Sequence, residues 1–267
     1  MRCAVSFLLS AFRSLAVAFC VGGCFQLCSG ANITNLYTGQ QLYTGMQLTS
    51  VPSAAVASFS PTQVSNAVLY LSYLDLPANA FPAGWTNELG SQVFTNKGTT
   101  YPTNSSLGVY FDGSSGNYML NGNSGIRWSN VVDSVWVCIT MRSFNHVFDV
   151  ILGRADGAGT GLAGSSTYTC LVLDSRSSQC TGTIALNNQY DVAIQSGATS
   201  TIYTNGILSV TNFGTSNGGT PNTVWGIGRD NNSDNNANCY IKFILVCSNY
   251  VFTATDITNL HNYAISH

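Results

Sequence analysis

Runs of hydrophobic residues recur along the chain about every ten residues, and each is bounded by Gly, Asn, Ser or Pro. The clearest run alternates strictly between two faces. Val135, Val137, Ile139 and Met141 share one face, and Trp136, Cys138, Thr140 and Arg142 share the other. This spacing is typical of β-sandwiches and barrels and not of alternating helices and strands. It predicts an all-β, antiparallel sandwich with further strands at residues 68–74, 107–111, 147–152, 168–173, 183–186 and 190–195.

The strongest local pattern lies near the C-terminus. Asn205-Gly206 separates two short apolar runs, and Asn-Gly readily adopts the positive φ angles of a type I′ turn. Residues 202–204 and 207–210 are therefore predicted to form an antiparallel hairpin. Strands are also predicted at residues 225–228 and 240–247, the latter with Ile241, Phe243 and Leu245 on one face.

One short helix is predicted after the last strand. Thr253 or Thr255 can cap its N-terminus, and Asp256 places a negative charge in the first turn, where the helix dipole favours it. One helical face then holds Ile257, Leu260, His261 and Ala264. We expect this face to pack against the sandwich.

Residues 1–30 have the character of a secretory leader, because an apolar stretch follows Arg2 and ends in small residues. Arg13 interrupts the apolar stretch, and the part after it is shorter than the roughly 20 residues that span a bilayer. A retained membrane anchor is therefore the less favoured alternative. Val21-Gly22-Gly23-Cys24 also resembles a lipoprotein cleavage site. Residues 31–62 are predicted to be an extended arm and residues 63–267 a single domain. The protein is thus expected to be secreted or displayed on an extracellular surface, with a particle or virion surface as the alternative.

The low content of charged residues limits the classes of function that the protein can have. Charged residues make up 7% of the chain, against about 25% in typical proteins, and the formal net charge is −2. Nucleic-acid binding therefore has no electrostatic basis. Glu88 is the only glutamate, which leaves few candidates for chemistry by paired carboxylates.

Five cysteines follow the leader: Cys138, Cys170, Cys180, Cys239 and Cys247. Cys170 and Cys180 could close a local disulfide, whereas Cys138 and Cys247 lie in apolar strands and suit buried thiols equally well. Three Asn-x-Ser/Thr sequences, at Asn32, Asn104 and Asn231, are candidate glycosylation sites.

Two further features could bind ligands. The loop with Asp230, Asn231, Asp234 and Asn235 offers the oxygen atoms that calcium prefers, although a solvated turn explains it equally well. Trp85 lies in a loop rich in Gly and Asn, where an exposed indole could stack on a sugar ring, or where it could simply pack in the core.

Four segments carry a resemblance to the laminin G-like jelly rolls of the concanavalin A-like lectin and glucanase superfamily, over residues 66–263. They are Val109-Tyr110-Phe111-Asp112-Gly113-Ser114, Ile202-Tyr203-Thr204-Asn205-Gly206, Ile227-Gly228-Arg229-Asp230 and Phe252-Thr253-Ala254-Thr255-Asp256-Ile257. The resemblance implies a jelly roll that binds carbohydrate or protein. Within it, Asp112 and Asn205 join Trp85 as candidate ligand-binding residues.

The resemblance also implies glucan hydrolysis in some branches, which use two glutamates on one strand. Because Glu88 is alone, the sequence predicts a protein that is not an enzyme. We expect a secreted binding or adhesion module that recognises glycan or an extracellular protein through its loops. The alternative is a structural component of a surface or particle that self-associates and holds no small ligand.

Overall fold

A computed structural model describes residues 19–21, 24–26, 59–121, 134–145, 149–154, 161–165, 170–173, 183–195, 200–213, 225–229 and 236–267. The chain divides into two units, Met1–Val56 and Ala57–His267. In the first unit, strands β1 (Phe19–Val21) and β2 (Cys24–Gln26) pair as an antiparallel hairpin.

The described part of the second unit consists of strands and one α-helix. In chain order they are β3 (Ala67–Ser72), β4 (Gly84–Thr86), β5 (Val93–Asn96), β6 (Thr103–Ser105), β7 (Gly108–Asp112), β8 (Met119–Asn121), β9 (Ser134–Ser143), β10 (Asp149–Arg154), β11 (Gly161–Ser165), β12 (Cys170–Leu173), β13 (Gln189–Gln195), β14 (Ser200–Thr204), β15 (Ile207–Phe213), β16 (Trp225–Ile227), β17 (Asn238–Cys247) and α1 (Ala254–Ser266). Short 3-10 helices lie at Pro61–Gln63 and Tyr73–Asp75.

Within the described residues, these strands form two antiparallel sheets. The seven-stranded sheet has the order β12-β11-β10-β16-β8-β5-β4. The eight-stranded sheet has the order β15-β14-β13-β9-β17-β7-β6, with β3 also paired to β17. The predicted all-β sandwich is confirmed.

The main core lies between the two sheets. The inward face of β9 contributes Val135, Val137, Ile139 and Met141, as the alternation predicts. They pack with side chains of the opposite sheet, among them Trp85, Phe94 and Trp225. Removing these large apolar surfaces from water is the main force that holds the sheets together.

A second apolar cluster lies on the other face of the eight-stranded sheet, under α1. Trp136 and Phe243 stack there with ring centroids 5.8 Å apart. The helix buries Ile257, Leu260 and Ala264 against the cluster, which confirms the predicted packing face. Thr253 is the N-cap: its side chain accepts from the Asp256 amide, and the Asp256 carboxylate accepts from the Thr253 amide.

The predicted face of β17 is wrong. The pairing register with β9 shifts between Ile241 and Phe243, so Lys242 occupies a bulge. Because one extra residue reverses the alternation, Ile241 points into the main core, whereas Phe243 and Leu245 point into the cluster under α1.

Of two other predicted elements, the structure confirms the hairpin and contradicts the strand at residues 183–186. The hairpin is confirmed: Asn205 and Gly206, with φ of 51° and 72°, connect β14 to β15. Residues 183–186 are not a strand but an irregular segment that leads into β13. Among the described residues, no helix combines the length and apolar character needed to cross a membrane.

A buried carboxylate joins the helix to the sheet. Asp191 of β13 is 5% exposed, and its Oδ1 lies 2.6 Å from Nδ1 of His261 on α1. Trp136 Nε1 donates to the other carboxylate oxygen at 3.4 Å. The Asp191 amide, in turn, donates to Oδ1 of Asn205 in the hairpin turn. Polar contacts of Asp191 therefore connect helix α1, the sheet and the hairpin turn beside the apolar cluster.

We expect His261→Ala to lower the free energy of unfolding by roughly 1–3 kcal/mol, because it leaves the Asp191 carboxylate buried without its closest partner. Asn262→Ala changes the neighbouring, exposed position of the same helix and is the matched control. Urea denaturation of both variants measures the difference. Equal losses for the two would show that the pair does not hold the helix.

Candidate functional site

An open cavity of about 410 Å³ lies beside the outer strands β6 and β7 of the eight-stranded sheet. We call it the aromatic pocket. Its lining residues come from these two strands and from three loops, and they are Phe81, Thr100, Tyr101, Thr103, Tyr110, Asp112 and Asn117. Its volume lies within the range of small-molecule sites.

Two aromatic rings of the pocket are in contact with solvent. Phe81 is 68% exposed and Tyr101 is 50% exposed, although burial of such rings is favourable. Each precedes a buried proline, Pro82 or Pro102, which restricts the backbone of the aromatic residue to extended conformations. The loops thus present the two rings on fixed backbone instead of burying them.

A third ring forms the side of the pocket that belongs to the sheet. Tyr110 stacks on Tyr240 of the neighbouring strand with centroids 4.6 Å apart. Its hydroxyl donates to Oδ1 of Asn238 at 3.2 Å. Both contacts restrict the orientation of the Tyr110 ring at the edge of the cavity.

Two side chains supply hydrogen-bonding groups. Asp112 Oδ1 accepts from the Ser114 amide at 2.8 Å, and no other described residue bonds its carboxylate. Asn117 is 3% exposed, and its Nδ2 lies 3.4 Å from the Tyr101 carbonyl oxygen. The Asn117 Oδ1 is buried and has no partner among the described residues. A buried acceptor without a partner is energetically costly.

Close backbone contact fixes two of the three loops. A Cβ on Gly98 would lie 1.7 Å from the Gly116 carbonyl oxygen, so a side chain at this position cannot be accommodated. The Gly116 carbonyl accepts from the Thr100 amide at 2.9 Å. Arg229 holds the second loop from below, since its Nη1 donates to the Ser115 carbonyl at 2.7 Å and its guanidinium lies 4.9 Å from the Tyr118 ring centroid.

Asn104 fixes the third loop, which carries Phe81. It is 2% exposed, and its Nδ2 contacts the carbonyl oxygens of Tyr73, Leu76 and Pro77. The predicted N-glycosylation site at Asn104 is therefore wrong, because a glycan would have to attach to that buried nitrogen.

The structure places the predicted ligand residues in three different environments. Asp112 lines the aromatic pocket. Of the two alternatives for Trp85, the structure shows core packing and not an exposed indole: Trp85 is 0% exposed, and its Nε1 donates to the Ser72 carbonyl at 2.9 Å. Asn205 is not among the lining residues of the pocket and bonds Asp191 in the hairpin turn.

Several predicted sites lie wholly or partly outside the described residues. These are the calcium candidates Asp230, Asn231, Asp234 and Asn235, the glycosylation candidates Asn32 and Asn231, and the Cys180 end of the disulfide, while of Cys170 only the strand is described. In the part of the chain that the structure does describe, no three His, Cys, Asp or Glu side chains come together. Cys138 and Cys239 are free, and burial raises the pKa of both thiols. Cys247 is also buried.

Most of the pocket was not predicted from the sequence. Phe81, Tyr101 and Asn117 lie far apart in turn-rich segments without periodicity, and only the fold brings them together. The two aromatic-proline dipeptides are the pattern that could have marked the loops.

A pair of carboxyl groups was also missed. Partial burial, together with a hydrogen bond and the charge of Asp75, raises the pKa of Glu88 from its ordinary 4.5 to about 7. A carboxyl group with such a pKa can hold or release a proton near neutral pH. Neither residue is among those that line the aromatic pocket.

No family model matches the sequence, and a search of curated proteins finds no match. Solved structures do match. A Trypanosoma rangeli sialidase in complex with sialic acid aligns with a TM-score of 0.53 at 15% identity, over 73% of this chain and 32% of the sialidase. The same enzyme with 2,3-difluorosialic acid as a covalent intermediate aligns with a TM-score of 0.53 at 16% identity, over 73% and 33%. The binding domain of botulinum neurotoxin serotype G aligns with a TM-score of 0.54 at 15% identity, over 74% and 51%.

These likenesses show the fold alone. The chain spans about a third of the sialidases and about half of the neurotoxin domain. They agree with the β-sandwich fold, while the concanavalin A-like and laminin G-like assignment stays a prediction.

The prediction that the chain is not an enzyme is wrong. It was based on the missing pair of glutamates, yet two of the similar structures are sialidases, one of them a covalent intermediate. Lack of that pair is therefore not sufficient ground for excluding an enzyme, although the likeness covers about a third of each sialidase and shows the fold alone. At this identity, no catalytic residue can be transferred to the chain.

The raised pKa of Glu88 predicts a pH dependence of stability. Because the folded state binds this proton more tightly than the unfolded state, the stabilising contribution is complete below about pH 4.5 and is lost as the pH rises through about 7. Glu88→Gln should remove this part of the pH dependence, and Asp75→Asn should reduce it. Thermal melting of the three proteins across this range measures the effect. Wild type and Glu88→Gln with parallel profiles would contradict it.

Proposed function

We propose that this protein binds carbohydrate in the aromatic pocket. The observation that carries the proposal is the presence of two solvent-exposed rings, Phe81 and Tyr101, next to the carboxylate of Asp112 and the buried amide of Asn117. A sugar ring has apolar C–H faces and polar hydroxyl edges. Aromatic faces can pack against the former, while carboxylate oxygens such as those of Asp112 can accept from the latter.

The rigidity of the pocket supports the same proposal. The contact between Gly98 and Gly116 and the bond from Arg229 to the Ser115 carbonyl hold the loops before any ligand arrives. A site that is already ordered loses little conformational entropy on binding. The two exposed rings and the Asp112 carboxylate are thus held in place for a ligand.

The similar structures give limited support. One is a sialidase bound to sialic acid and another is a toxin binding domain. The sialidase shows that a sandwich of this kind occurs in a protein that binds a sugar, and the pocket residues named above come from this chain alone. We further propose that the protein works outside the cell, as the leader-like residues 1–30 suggest.

Tyr101→Ala should weaken glycan binding about tenfold, because it removes one of the two stacking rings. Phe81→Ala should act in the same direction, and the double variant should abolish measurable binding. Leu107→Ala is the matched control, since Leu107 is also 50% exposed but does not line the pocket. Binding of the full-length protein to a glycan array, with and without calcium, followed by calorimetric titration, measures the effect.

Melting curves establish that the variants remain folded. Absence of glycan binding by the wild type in either condition would refute the proposal, and self-association of that protein would favour the structural alternative. Equal loss in Leu107→Ala would place the site elsewhere.

A further inference from the structure

The aromatic pocket has an unusual distribution of charge. Asp112 is an acidic residue, and none of the described residues that line the pocket is cationic. The other lining side chains are aromatic, hydroxyl or amide groups. A ligand in this pocket thus meets a carboxylate and no described countercharge.

The neighbouring cations are engaged elsewhere or lie outside the lining. Arg229 bonds the Ser115 carbonyl and lies over Tyr118. The Arg142 guanidinium lies 5.9 Å from the Tyr240 ring centroid, Tyr240 in turn stacks on Tyr110, and Arg142 is not among the lining residues. Lys97 is exposed at the start of the Tyr101 loop but is not a lining residue.

We infer that the pocket selects neutral sugar rings and discriminates against rings that carry a carboxylate, such as hexuronic or sialic acids. This inference rests on the proposed function and names its substrate class. Asp112 is the residue that determines the specificity. Its Oδ2 can accept from a neutral hydroxyl, whereas a carboxylate brought to the same place offers no proton and repels it.

Binding of an acidic sugar also requires its charge to be desolvated. Sites that bind carboxylates use a guanidinium or several amide donors to replace the lost water. The described lining supplies no such guanidinium. We therefore expect like-charge repulsion and incomplete solvation to weaken binding of the acidic sugar about tenfold.

Matched pairs of immobilised glycans test the inference. Each pair ends in a hexose or in the hexuronic acid that differs from it only at C6: glucose and glucuronic acid, galactose and galacturonic acid, mannose and mannuronic acid. The measured quantity is the ratio of acidic to neutral affinity for the full-length protein. We expect a ratio near one tenth for the pair that binds best, rising toward one as salt screens the charges.

Asp112→Asn should raise this ratio, because it removes the repulsion by the Asp112 charge while the cost of desolvating the sugar carboxylate remains. The substitution keeps an oxygen that can accept from the Ser114 amide and removes only the charge. Asp75→Asn, which removes an exposed carboxylate outside the lining, is the control and should leave the ratio at the wild-type value.

The outcomes separate the two proposals. Neutral and acidic sugars bound equally by the wild type, or acidic sugars bound more tightly, would overturn the inference while glycan binding itself stands. A low ratio that Asp112→Asn leaves unchanged would overturn the role given to Asp112. Binding of neither sugar by the wild type would refute the proposed function and the inference together.

Discussion

Strand β17 is the element on which the rest of the structure depends, because it is paired along both edges and buried on both faces. It pairs with β9 on one side, and on the other side first with β7 and then with β3. Its side chains enter the core between the sheets and the cluster under α1. The bulge at Lys242 shifts this alternation, so that Ile241 before it and Ile244 and Val246 after it enter the core, while Phe243 and Leu245 enter the cluster under α1.

The aromatic pocket follows from the same arrangement. Pairing of β7 with β17 places Tyr110 against Tyr240, and pairing of β6 with β7 places Thr103 opposite Tyr110. The three loops then rest on the edge of a sheet whose position is fixed by buried strands. A site at such an edge is formed by a rigid sheet and by surface loops, and the sequence of the loops can vary without destabilising the core.

The sequence predicts what depends on local pattern and fails where distant contacts decide. Strict alternation gave the faces of β9, and the cap at Thr253 with its apolar face gave α1. The bulge at Lys242 has no local mark, because its neighbours are apolar on either assignment. The pocket joins Phe81 to Asn117 through three loops, and the burial of Asn104 depends on carbonyl groups some thirty residues away. Neither could be predicted without the fold.

The scarcity of charge gives each ionised group a larger effect. In a chain with 7% charged residues, the Asp191 carboxylate bonds His261, the Asp256 carboxylate caps α1, and Arg229 holds a loop. Asp112 differs, because a neutral amide could hold the Ser114 turn as well as a carboxylate does. Its charge is therefore not needed for the fold. In a pocket whose other described lining residues are uncharged, that charge acts instead on whatever enters, and it does so with few neighbouring ions to offset it.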